Sequence, residues 1–330
     1  MASFSKFGND LYTGARSFNI VGRRRIWFSI AAVLVVASIL VPAIRGFNFG
    51  IEFRGGSQFT VSDAGAHPDQ SLATKAVQTI IPGTVPTVAT VGNTTIQVTT
   101  SQLTTGKTTD VQTALGKAYG VPQSKVAASF IGATWGQDIT QQAIRALIAF
   151  IVLAVILMSL YFRTWKMSLA AIIALFHDLI LVAGVYAVTG FEVTPDAVIG
   201  FLTILGYSLY DTVVVFDKIR ENTMELSDRS PRTFSEAVNY AVNQTLVRSI
   251  NTSVVALLPV GAILFIGAAF LGAGTLRDIS LALFVGILSG TYSTIFVAAP
   301  LYSFLREREP EIKKRTKRTT VARTSTGAVR

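Results

Sequence analysis

Residues 200–219 read GFLTILGYSLYDTVVVFDKI, and the whole fold turns on how this stretch is read. Extended back to Ala197, it is long enough to cross a bilayer, which takes about 20 mostly apolar residues. Two carboxylates occur in it: Asp217, beside Lys218, falls at the interfacial end, while Asp211 lies well inside, roughly two helical turns from the Ile219 end. A carboxylate at the bilayer centre costs at least ~2.5–3.5 kcal/mol on insertion scales, so an acid kept there points to a function.

The rest of the chain supports a membrane reading. Of 330 residues, 50% are hydrophobic and only 15% are charged, and the mean hydropathy is +0.50. Soluble domains carry about 25% charged residues. Five further apolar runs of spanning length occur, at about Ile26–Ile44, Ala143–Phe162, Met167–Thr189, Ser249–Phe270 and Ile279–Leu305. The expectation is an α-helical integral membrane protein with six spans. Residues 1–25 form a tail, 45–138 a domain outside the membrane, 143–305 spans two to six, and 306–330 a second, basic tail. The residues Val41-Pro42-Ala43 offer a cleavage site for a signal peptide. The apolar run before them exceeds the usual length of about 7–15 for such a peptide, so an uncleaved anchor is expected.

Charge sets the orientation. The net charge is +10 and the isoelectric point about 9.9. The first tail carries Lys6, Arg16, Arg23, Arg24 and Arg25 against Asp10. Arg163 and Lys166 follow span two, and five bases lie between Lys218 and Arg248. The turn Gly190–Asp196 has Glu192 and Asp196 and no base. Lys and Arg concentrate on the cytoplasmic side of membrane proteins, which places both termini in the cytoplasm. The same distribution accounts for the basic isoelectric point without nucleic acid. The KKRTKR run, Lys313–Arg318, reads as a disordered stretch against anionic lipid.

Residues 45–138 alternate strand and helix signals. Ile51–Val61 reads as a strand, Asp69–Ile81 as a helix, and Val85–Val91 with Thr94–Thr99 as a hairpin around Gly92-Asn93. Thr108–Tyr119 reads as a helix stopped by Gly120, and Lys125–Ile131 as a last strand. The order βαββαβ is that of a ferredoxin-like α+β domain. Its acids, Glu52, Asp63, Asp69 and Asp110, have no paired spacing and read as solvated, as does His67.

Several chemistries are excluded. Without cysteine there is no disulfide, thiolate metal site or cysteine nucleophile, and two histidines do not make a histidine-rich metal site. No Walker-type loop or nucleophile elbow occurs, so neither an enzyme nor a cofactor is expected. Within the spans three ionisable residues lie away from the ends: His177, Asp178 and Asp211. Tyr207 and Ser208 stand at i−4 and i−3 from Asp211, on a shared face that can hold a carboxylate binding and releasing a proton. Arg248, at the mouth of span five, is the nearest cation in sequence that could swing toward Asp211. His177 and Asp178 are adjacent on a helix and point about 100° apart, so they are expected not to face each other. They read as interhelical hydrogen-bonding groups or as a proton relay. Gly286 and Gly290 form a GxxxG pair that favours close helix contact, and Pro259 is expected to kink span five.

Two stretches carry a resemblance. Residues 47–56, FNFGIEFRGG, resemble the entry to the outer domain of the SecD/SecF family, part of the RND superfamily. Residues 206–222, GYSLYDTVVVFDKIREN, look like the SecF version of a family signature more than the SecD version. His177-Asp178 and Arg248–Ser253 also fit, and Tyr210 departs from the usual asparagine. The resemblance implies half of an RND-type transporter in a bacterial inner membrane. It implies an auxiliary subunit of the Sec preprotein translocase that pairs with SecD beside the SecYEG channel. Asp211 and Arg248 would couple the proton motive force to late translocation, and the outer domain would engage unfolded preprotein. Two competing readings are a half-size RND-like exporter of small molecules or lipids, and an assembly scaffold in which Asp211 is structural.

Overall fold

The computed structural model describes residues 2–91, 94–162, 164–224, 226, 232–267 and 274–325. The expected hairpin turn Gly92-Asn93, Arg163, the charges Glu225, Asp228 and Arg229, the expected end of span five at Phe270 and residues 326–330 lie outside the described residues.

Helix α1 (Ala2–Thr13) precedes a long helix, α2 (Arg24–Arg45), and a single turn, α3 (Ile51–Arg54). A head follows, built from β1 (Gly56–Val61), α4 (Gln70–Ile80), β2 (Thr87–Val91), β3 (Thr95–Thr100), α5 (Thr105–Tyr119) and β4 (Val126–Ile131). The chain then runs through α6 (Ala133–Phe162), α7 (Trp165–Thr189), α8 (Pro195–Met224), α9 (Phe234–Gly261) and α10 (Gly274–Ser293). It ends in α11 (Ala299–Glu307) and α12 (Pro310–Ser325). Six helical stretches are long and apolar enough to cross a membrane: 24–45, 134–162, 165–189, 195–224, 234–266 and 276–307.

The head has the expected ferredoxin-like order. Its antiparallel sheet runs β2-β3-β1-β4, with Phe59 of β1 opposite Val98 of β3 and Ala128 of β4. Alternate residues of β1 and β3 point inward, so Phe59, Val61, Ile96 and Val98 bury against Val77 of α4 and Val111 and Leu115 of α5. Asp69 caps α4 by accepting from Ser71 N at 2.8 Å, which holds its carboxyl below the usual range.

The first strand is shorter than the sequence predicts. Residues Ile51–Arg54 coil into α3, and Gly55 (φ 72°) and Gly56 (φ 141°) redirect the chain into β1. A Cβ on Gly56 would collide with the carbonyl of Thr100, so the bend admits only glycine there. Residues 133–138, expected in the head, are instead the first turns of α6. Gly136 lets that helix rest on the carbonyl of Phe53.

Span five also begins earlier than expected. Helix α9 starts at Phe234, where Thr233 and Glu236 form a capping box, and Val238, Ala241, Val242 and Leu246 bury at helical spacing. Arg248 therefore lies inside a long helix rather than at its mouth. Beyond Pro259 the ladder widens into a π-helical stretch, Ala262–Gly267. A second π-helical stretch, Thr294–Ala298, joins α10 to α11.

Helices α8 and α10 approach closely. Gly286 lies against Ile204 and Gly290 against Ser208, so the GxxxG pair forms the contact surface. The first tail is folded too: Leu11 is fully buried, and the backbone N–H groups of Ile20 and Val21 donate to Asn239 of α9 at 2.9 and 3.1 Å. At the other end, Lys313–Arg318 is helical within α12 rather than disordered. Pro310 and Glu311 open that helix favourably, and Arg315 donates to the carbonyl of Leu226 at 2.8 Å.

Candidate functional site

A polar seam crosses the otherwise apolar packing of α7, α8, α9 and α10. Its first node is Asp178, on α7 and 1% exposed. Ser208 of α8 donates to its Oδ2 at 2.6 Å, Ser293 of α10 to Oδ2 at 2.8 Å, and Ser289 of α10 to Oδ1 at 2.8 Å. Three hydroxyls from two neighbouring helices thus occupy both carboxylate oxygens. His177 Nδ1 lies 3.3 Å from Oδ1, contrary to the expectation that adjacent helical residues would point apart. The imidazole Nε2 and the Tyr292 hydroxyl are buried without partners among the described residues, and the two rings lie 5.7 Å apart.

The second node is Asp211 on α8, 7% exposed. Ser249 of α9 donates to Oδ1 at 2.8 Å, while Oδ2 is buried with no hydrogen-bond partner among the described residues. The hydroxyls of Thr212 and Thr294 pair with each other at 2.9 Å, and Thr294 also flanks the carboxylate. Arg248 is an exposed side chain of α9 whose charge acts on Asp211. It makes no ion pair with that acid. Tyr207 lies beside Ser253, and Ser253 pairs with Thr291 across α9 and α10.

Of the predicted residues, Asp211, Tyr207 and Arg248 share one neighbourhood. Ser208 was expected on the Asp211 face, but its hydroxyl turns to Asp178. It sits one helical turn from Asp211 and so ties the two nodes together along α8. Ser249, Ser289, Ser293 and Thr294 were not foreseen as partners. Their signal is nevertheless present: Ser289 with Ser293, and Ser249 with Ser253, recur at i, i+4 in apolar helices, which lines one face with hydroxyls.

A third acidic group lies where the head meets the helices. Val193 N donates to Asn48 O at 2.7 Å and Gly50 N to Val193 O at 3.0 Å, clamping the chain after α2 to the turn between α7 and α8. In that turn Glu192 accepts from Gln97 of β3 at 3.3 Å, linking head to membrane half. Burial, followed by the nearby Glu52 and Asp278 charges, pushes the Glu192 carboxyl up to about 7. Glu52, expected to be solvated, has one carboxylate oxygen buried and unpartnered among the described residues. Asp63 instead pairs with Lys125 at 2.8 Å on the surface.

Two family models match this chain. "Protein export membrane protein SecD/SecF, C-terminal" covers residues 110–308, and "SecD/SecF GG Motif" covers residues 41–62. The chain is 42% identical to the protein translocase subunit SecF of Streptomyces coelicolor, over all of this chain and 87% of that protein. It is 41% identical to SecF of Mycobacterium tuberculosis H37Rv, over 97% of this chain and 74% of that one. Among solved structures it superposes on SecDF of Thermus thermophilus, a translocon-associated membrane protein. That match has a TM-score of 0.75 and 30% identity, and covers 89% of this chain and 39% of the other.

Proposed function

Since the chain belongs to the SecD/SecF protein-export family, and is a multi-pass membrane protein, we propose that it pairs with a SecD-type chain as an auxiliary subunit of the Sec translocase. In this reading it lies in the bacterial cell membrane beside the SecYEG channel, with both termini in the cytoplasm, and draws on the proton motive force. The charge distribution supports the orientation. The SecDF relative supports the pairing, because this chain matches 39% of that longer chain and leaves room in it for a complementary unit.

One observation carries the coupling: Asp211 keeps one carboxylate oxygen buried and unpaired in the middle of an apolar bundle. A group so placed gains from binding a proton or from moving toward a cation, and Arg248 is the cation in reach. Tyr210, beside it on α8, is 56% exposed on the outer surface of the bundle, where a partner would complete the path. Moving one charge through 100 mV yields about 2.3 kcal/mol. A bias of that size shifts a two-state population by roughly fiftyfold. Proton binding at Asp211 would change its hold on Ser249, shifting α8 against α9, and the clamp at Val193 would carry the shift to the head. There the head would hold emerging preprotein.

The test is Asp211→Asn in the assembled translocase, assayed for late export with and without an imposed proton gradient. The gradient-dependent part of export should disappear while the complex still assembles. Unchanged gradient dependence would remove Asp211 from the coupling and leave it as a helix-packing group.

A further inference from the structure

The end of the bundle that carries both termini holds a second polar feature, which the export reading does not use. A cavity of about 420 Å³ opens there between α8, α12 and the turn joining α6 to α7. Three arginines line it: Arg220 of α8, Arg306 of α11 and Arg315 of α12. Glu311 is the acid among the lining residues. Arg220 is half-buried, and its guanidinium has neither a hydrogen bond nor an ion pair among the described residues. Arg306 gives Nη1 to Glu309 at 3.2 Å, but its Nε is buried without a partner among the described residues. Thr164, also in the lining, has a buried hydroxyl without a partner among the described residues.

These groups are hydrogen-bond donors, and their charge is mostly positive. A guanidinium held partly out of water without an anion is costly, and two more donors have already lost their water. Planar guanidinium forks match the oxygens of phosphate in a way that a scattered lysine surface does not. Apart from Thr223 the remaining wall is largely apolar, and includes Phe162 at the end of α6, Met167 near the start of α7, and Tyr302. The volume falls within the range of ligand sites, about 300–1,000 Å³, and exceeds what a bare ion fills.

We infer that this cavity binds a phosphate-bearing anion through Arg220 and Arg306, with Thr164 as an added donor. Two sources offer that chemistry: the headgroup of an anionic phospholipid, or a soluble phosphate compound from the adjoining water. Basic pockets between membrane helices commonly take lipid headgroups.

The test uses the full chain with its partner, in two arms. In the first, complexes purified from bilayers holding equal phosphatidylglycerol and phosphatidylcholine are examined by native mass spectrometry for retained lipid. In the second, inorganic phosphate and then ATP are titrated against the delipidated complex and the unfolding temperature is followed. Arg220→Gln should lower anion retention by about tenfold, as for loss of one charge-assisted contact. Arg220→Lys, which keeps charge but not the fork, should fall between. Arg318→Gln, in the basic stretch outside the cavity, should leave retention unchanged. Selective retention of phosphatidylglycerol assigns the lipid source, and stabilisation by ATP or phosphate assigns the soluble one. The inference is overturned if neither arm responds to Arg220→Gln, or if Arg318→Gln has the same effect. Asp211→Asn should leave both arms unchanged, so the outcome is independent of the export reading.

Discussion

Asp178 and Asp211 sit on neighbouring helices, both nearly without exposure, yet they are held differently. Asp178 receives three serine hydroxyls over both oxygens, with an imidazole at its edge. Asp211 receives one hydroxyl, from Ser249, with Thr294 beside it, and one of its oxygens has no hydrogen-bond partner among the described residues. A buried carboxylate with its acceptors filled works as a joint, since any movement breaks several bonds at once. One that is half filled has less to lose by moving and something to gain from a new partner. The difference separates a fixed point of the bundle from a candidate moving part, although the two acids look alike in sequence.

The comparison breaks most directly at Asp178 itself. Asp178→Ala would strand Ser208, Ser289 and Ser293 inside the bundle. At roughly 0.6 kcal/mol for an average hydrogen bond between membrane helices, up to about 1.7, the loss should reach about 2 kcal/mol. Asp211→Ala gives up one such bond and relieves a buried unpaired oxygen, so it should cost under about 1 kcal/mol. Unfolding of the full chain in mixed micelles, titrated with a denaturing detergent, would rank the two. Equal losses would abolish the distinction between joint and moving part.

The next effect concerns how closely α10 is held to α8. Gly286→Ala places a methyl against Ile204, and overpacking of this kind costs typically about 1–3 kcal/mol. The same change pushes Ser289 and Ser293 away from Asp178, which they reach from the face that Gly286 and Gly290 let approach. Stability should fall in the same micelle assay, by somewhat less than for Asp178→Ala. The double variant with Asp178→Ala should lose less than the sum of the two. Strict additivity would show that the glycine contact and the serine cage act separately.

Much of this was legible in the chain. The six spans, the strand and helix order of the head and the candidate acids follow from hydropathy, periodicity and the cost of a buried charge. What could not be read was which hydroxyl serves which acid. Ser208 is three residues from Asp211 and was expected to serve it, yet it turns to α7, because side-chain direction depends on where the neighbouring helix lies. Likewise the expected span five starts only at Ser249, because Glu236, Asn239, Asn243, Gln244 and Arg248 interrupt the apolar run before it. The apolar stripe Phe234, Val238, Ala241, Val242 and its capping box make that stretch helix. Glu52 reads as solvated because the acid its charge acts on, Glu192 in the turn Gly190–Thr194, lies far away in sequence.

Glu192 extends the comparison to the membrane boundary, where its effect is smallest. It has a single hydrogen bond, from Gln97, and so resembles Asp211 more than Asp178. The groups facing it are Glu52 at the entry to the head, Asp278 on α10 and the neutral Gln97 of β3. Its carboxyl titrates at about 7 in the folded chain against 4.5 for the free group. A raised folded value means that the folded junction binds the proton more tightly than the unfolded chain does. The contribution to stability is therefore fully present below about 4.5 and is lost as pH rises through about 7. Between pH 6 and 8 the contact between head and turn should loosen, and amide exchange at Gly50 and Val193, corrected for its intrinsic pH dependence, should speed up. Glu192→Gln should flatten that profile without lowering the unfolding temperature by more than a few degrees. A profile that keeps its slope in Glu192→Gln would move the titration to Glu52 or Asp278. Were that so, one hydrogen bond would not be what sets a movable carboxylate apart here.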